Sequence, residues 1–182
     1  MNKDLLKTSV ITLLILITVF SRLIPHPSNF TAIGAVAIFA GFLLPNRFLS
    51  LFIPLAAMFV SDLVINNLVY PFPDFVWFSS GFIWIYLGII AHTISALIFG
   101  KPTISGIAGS SISGAILFFI LSNFGVWLGS GMYEKSLAGL AICYTAALPF
   151  FGNFLAGNII FSAILFGVYF ILERKSQAFR TV

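Results

Sequence analysis

The stretch Arg22-Leu-Ile-Pro-His-Pro-Ser-Asn-Phe30 packs an arginine, a histidine, an asparagine and two prolines into nine residues, directly after the uncharged run Ile11 to Phe20. Helix that faces lipid does not tolerate this composition, because hydrocarbon offers no partner to a charge or to an orphaned backbone group. The stretch therefore reads as a polar turn between two membrane helices, serving a purpose other than spanning. Its neighbours set the fold class.

Of the 182 residues, 60% are hydrophobic and 8% charged, and the mean hydropathy is +1.11. These values are far from the balance of a soluble domain and predict an integral membrane protein. The apolar runs fall at about 8–24, 31–45, 48–66, 77–99, 105–128 and 150–172, with a weaker one at 136–148 that ends at Pro149. Their length predicts an all-α integral membrane protein. The expected architecture is one bundle of six transmembrane helices plus a short outer or re-entrant helix, with residues 1–182 forming a single transmembrane domain. A β-barrel would need alternating polar and apolar residues, and Ile11 to Phe20 does not alternate. The first run follows Lys3 and Lys7 without a small-x-small cleavage site and is read as a membrane helix rather than a signal peptide.

Basic residues decide the number of crossings. Lys3 and Lys7 precede the first run, and Arg174, Lys175 and Arg180 follow the last, so the positive-inside bias puts both termini in the cytoplasm. With six crossings Arg47 and Lys101 also fall inside, leaving only Arg22 and Lys135 of the nine basic residues outside. The expected location is a bacterial cytoplasmic membrane, with membrane lipids as neighbours. The net charge of +4 then reports topology, and no nucleic-acid partner is expected.

Threading this topology gathers the embedded polar residues on the outer side. Arg22, His26 and Asn29 lie at and after the end of the first helix. Asp62 and Asn66 share a face of the third helix at i, i+4, and Asn123 and Trp127 do the same on the fifth. Tyr133 follows in an outer loop, while Tyr144, Asn153 and Asn158 come from the 136–148 segment and the last helix. Singly these have structural uses. Arg22 and Asp62 can neutralise one another as a brace, the aromatic residues can anchor at the interface, and the asparagines can bond between helices. Convergence on one side favours an outward-facing pocket for a small polar or amphipathic ligand.

His92 is too deep to join that cluster and reads as a packed, hydrogen-bonded histidine, and Cys143, the single cysteine, as a packing residue. Small-residue faces at Gly34, Ala37, Gly41 and at Gly106, Ser110, Gly114 predict close helix packing, or docking of a partner membrane subunit. The sequence has no phosphate-binding loop, no metal-spaced His/Cys set and no nucleophile elbow. The expected protein is not an enzyme and carries no cofactor.

At Arg22 to Gly41 the chain resembles an uncharacterised bacterial family described as transport proteins, with further matches at Pro54 to Asp62, Ser122 to Trp127, Gly139 to Tyr144 and Ala147 to Phe151. More distantly the layout looks like the substrate-binding S components of energy-coupling factor (ECF) vitamin transporters. Their Pro-rich link into a small-residue second helix, and a Pro-Phe-Phe-x-Asn opening of the last helix, have counterparts here at Pro149 to Asn153. This resemblance implies uptake of a small vitamin-like substrate from outside, with ATPases reached through a transmembrane coupling subunit. S components typically carry an Ala-x-x-x-Ala docking face on the first helix, whereas here only Ser9, Thr12, Thr18 and Ser21 are small, which leaves room for a solitary transporter. Two other classes stay open: a membrane enzyme using Asp62 or His92 on a lipid-like substrate, and a non-transporting assembly subunit.

Overall fold

The structure is a computed structural model in which residues 3–69 and 73–175 are described. Among them all regular structure is helical: α1 (Lys3–Phe20), α2 (Ile33–Leu43), α3 (Arg47–Val64), α4 (Phe82–Phe99), α5 (Ile104–Gly129) and α6 (Leu137–Lys175). A 3₁₀ turn at Ser21–Leu23 extends α1, and a π turn at Ile65–Val69 extends α3. Arg180 lies outside the described residues, as do the side chains of Lys3 and Lys7.

Four segments are long and apolar enough to cross a membrane: Arg47–Val69, Phe82–Phe99, Ile104–Gly129 and Leu137–Lys175. Thr8–Leu23 and Ile33–Leu43 are shorter. At 1.5 Å per residue α2 is only about 16 Å long, roughly half the hydrocarbon thickness. It sits inside the bundle, with every residue from Ile33 to Gly41 buried. A helix apolar on all sides can be enclosed completely, and small side chains let its neighbours close in. Gly41 lies against the backbone of Thr93, and Thr93 Oγ1 donates to Ala37 O at 3.3 Å. The small-residue faces predicted on α2 and α5 thus pack within the bundle, Gly114 lying against His92. By contrast α1 buries a single stripe, Ile11, Ile15 and Val19 at i, i+4, i+8, and leaves Leu13, Leu16 and Ile17 exposed.

Local chemistry sets the helix ends. Asn46 caps α3, its Oδ1 accepting from Phe48 N at 2.9 Å and Leu49 N at 3.3 Å. Asn46→Ala is expected to cost about 1 kcal/mol, read as a lower melting temperature in detergent, whereas a serine there should retain most of the cap. Gly100 stops α4 at a φ of 74°, a backbone region open to glycine and strained for most residues.

The separate outer or re-entrant helix expected at 136–148 is not present. Residues 137–175 form one continuous helix of 39 residues with Pro149 inside it. Pro149 removes the N–H that would have bonded Thr145 O and crowds that carbonyl, a local cost that a packed membrane helix tolerates. Contacts with α5 hold the first part of α6 in line: Tyr144 Oη donates to Ile120 O at 2.7 Å, and the Phe119 ring lies 5.6 Å from Tyr144 and 5.1 Å from Phe151.

Candidate functional site

The Arg22 to Phe30 stretch folds as its residues dictate. Pro25 pushes the preceding residue out of helical conformation, and Ile24 ends the 3₁₀ turn at φ −85°, ψ 136°. Phe30 N then bonds Pro27 O at 3.0 Å, with Asn29 at φ 63°. This is a tight turn whose third position favours glycine or asparagine. Asn153 on α6 fastens the loop by donating to Ser28 O at 3.0 Å. The Phe30 ring rests 5.6 Å from Phe161.

Beneath this loop lie two adjoining chambers. One, about 520 Å³, is lined by the loop, including Arg22, His26 and Asn29, and by Met58 and Ile65. The other, about 440 Å³, lies between α5 and α6 and is lined by Phe118, Phe119, Ser122, Asn123, Phe150 and Phe151, with Ser80, Gly81 and Ser130 from the end loops. Both are lined by Asn29, Ile85, Phe118 and Phe154. Each falls in the range of about 300–1,000 Å³ that small-molecule sites occupy.

Of the residues singled out from sequence, four line these chambers: Arg22, His26, Asn29 and Asn123. Arg22 is already engaged, since Nη2 pairs with Asp62 Oδ1 at 2.9 Å and Nη1 contacts Met58 Sδ at 2.9 Å and the Ser61 hydroxyl. Asp62 therefore stands behind the chamber wall as the partner of Arg22. Asn66 donates to Ser79 Oγ at 2.9 Å, bracing the loop that leads to α4. Trp127 donates to Glu134 O at 2.9 Å, and the Lys135 ammonium bonds Trp127 O and sits 5.4 Å from the indole. This locks the α5–α6 turn beside the half-buried Tyr133. Tyr144 and Asn153 brace helix and loop as described.

Asn158 lies at the bundle centre, fully buried. Its Nδ2 stands 3.0 Å from His92 Nε2. Gly88 O, 2.8 Å from His92 Nδ1, can only accept, so Nδ1 carries the ring proton and Nε2 accepts from Asn158. His92 is packed and bonded as expected, with the rings of Phe118 and Phe154 at 6.0 and 5.6 Å. Those two rings stack at 4.4 Å and lie between the chambers and the His92–Asn158 pair. Cys143 is buried, with Sγ 3.5 Å from Asn123 O. Among the described residues, no three His, Cys, Asp or Glu side chains are grouped to hold a metal ion.

Sequence reasoning missed the phenylalanine walls. With 22 phenylalanines in the chain, none stands out singly, yet a signal exists in their spacing. Phe118, Ser122 and Val126 recur at i, i+4, i+8 on α5, and Ala147, Phe150, Phe151 and Phe154 at i, i+3, i+4, i+7 on α6, so each set forms one helix face. Asn67 was also missed. Its amide bonds Leu63 O, Val76 O and Val76 N, all at 2.8–2.9 Å, and ties the end of α3 to the next loop.

No curated protein and no solved structure matches the chain. A family model matches residues 2–179, and the chain belongs to that family, DUF6580, a family of unknown function.

Proposed function

We propose that the protein is a membrane transport protein that captures a small vitamin-like metabolite from outside in the paired chambers and helps it across a bacterial cytoplasmic membrane. One observation carries this reading. Asn29, held at φ 63°, lines both chambers, and its side chain is not used by the loop that presents it. A polar group placed at strained backbone over a largely apolar cavity is the arrangement expected of a ligand contact. The proposal includes six crossings with both termini in the cytoplasm, as the basic residues suggest, and an S-component-like role that is either solitary or coupled to ATPases through a transmembrane subunit.

The test begins with protein purified from native membranes in mild detergent, with released small molecules and accompanying proteins identified by mass spectrometry. A metabolite enriched over a mock preparation is the expected result, and its absence together with the absence of any transport partner counts against the proposal. Asn29→Gly keeps the backbone conformation while deleting the amide. Rebinding of the released compound should weaken about tenfold, with an unchanged melting temperature. Asn29→Ala should bind as weakly and also melt lower, because alanine is strained at that φ.

A further inference from the structure

The bonding state of the chamber walls narrows the ligand class, an inference that rests on reading the chambers as a ligand site. On α5, Asn123 Nδ2 donates to Phe119 O at 2.8 Å. A carbonyl only accepts, so the amide orientation is fixed, and Oδ1 is left available to a ligand as an acceptor beside the second N–H of Nδ2. One residue earlier the Ser122 hydroxyl donates to Phe118 O at 2.7 Å, leaving lone pairs. The α5 wall thus offers two acceptors, Asn123 Oδ1 and Ser122 Oγ. Facing it are the rings of Phe150 and Phe151, and every described side chain lining this 440 Å³ chamber is uncharged. The charged lining residue next door, Arg22, has its charge met by Asp62 at 2.9 Å.

We propose that the chamber between α5 and α6 takes an uncharged, planar aromatic or heteroaromatic molecule that presents an N–H or O–H edge to Asn123 Oδ1 and its face to the phenylalanine rings. An anion would lose its hydration in a chamber whose described lining carries no charged side chain to replace it. A planar ring loses little conformational freedom on binding and gains offset or edge contacts with phenylalanine.

Three probes built on one ring separate these properties: 2-naphthamide is neutral with N–H donors, N,N-dimethyl-2-naphthamide is neutral without them, and 2-naphthoate is anionic with acceptors alone. Equilibrium dialysis against the full-length protein in detergent should rank 2-naphthamide first, on the order of tenfold or more over each of the others. Asn123→Leu, which keeps the side-chain volume, should bring the two amides to within about threefold of each other. Ala147→Trp, which puts a bulky ring at the chamber wall between Phe150 and the α5 face, should abolish binding of all three. Equal or tighter binding of 2-naphthoate that Ala147→Trp removes overturns the ligand class and leaves the site standing, as does a preference that Asn123→Leu does not change. Probes that fail to bind, or that bind wild type and Ala147→Trp alike, overturn both the class and the site.

Discussion

Asp62→Leu is expected to lower stability by about 3–5 kcal/mol, the cost of leaving a buried arginine without its counter-charge. Arg22 and Asp62 are only 15% and 9% exposed at the side chain, and the guanidinium also reaches Met58 Sδ and Ser61. Removing the carboxylate strands a charge that neither lipid nor the apolar wall can solvate. Arg22→Met alone should be of similar cost for the opposite reason. The double variant Arg22→Met with Asp62→Leu should recover most of the loss, because replacing both members of a buried pair by apolar groups of similar size is often nearly neutral. Thermal unfolding in detergent, run as a double-mutant cycle, reads the coupling directly. A double variant no better than the worse single one would show that the pair is not a self-contained brace. If the double variant is stable, its ligand binding separates the two uses of Arg22: retained affinity assigns the arginine to Asp62 alone.

Gly34→Ala is expected to cost about 2–4 kcal/mol, combining overpacking with a broken buried hydrogen bond. A Cβ at Gly34 would overlap the carboxamide of Asn158, lying 2.8 Å from its Cγ. Asn158 is fully buried and bonded to His92, so it can move only by giving up that bond. Asn158→Ala should rescue part of the loss when combined with Gly34→Ala, since it removes the group the methyl strikes. Additive losses in this cycle would mean that the two residues do not share the space the structure gives them.

The helical fold was legible because each signal was strong and local. Long apolar runs gave the elements, whereas the Asn46 cap before α3 and the Gly100 stop after α4 were not read from the sequence. The end of the bundle that gathers Arg22, His26, Asn29 and Asn123 was legible too, because helical rise alone sorts polar residues by depth. The state of those residues was not. Whether Arg22 faces a ligand or Asp62 depends on a side chain crossing from α1 to α3, and no spacing within one helix encodes that. The break expected before Pro149 failed for a related reason. Proline forbids one hydrogen bond, while the decision to continue α6 rests on Phe119, Ile120 and Asn123 of another helix. The phenylalanine walls were hidden by abundance, since an apolar face that lines a cavity and one that meets lipid look alike in composition.

The enclosed position of α2 has a consequence for how the protein meets membranes of different thickness. A helix buried from Ile33 to Gly41 has little hydrophobic length to match, so a thinner or thicker bilayer acts chiefly on the long helices packed around α2. Its depth is set by its neighbours, through contacts such as Thr93 to Ala37 O and Asn158 against Gly34. Tilting of the outer helices would turn them about this short central axle. The loop at the head of α2, and with it Asn29, would hold its place over the chambers while the rim of the bundle adjusts to the lipid.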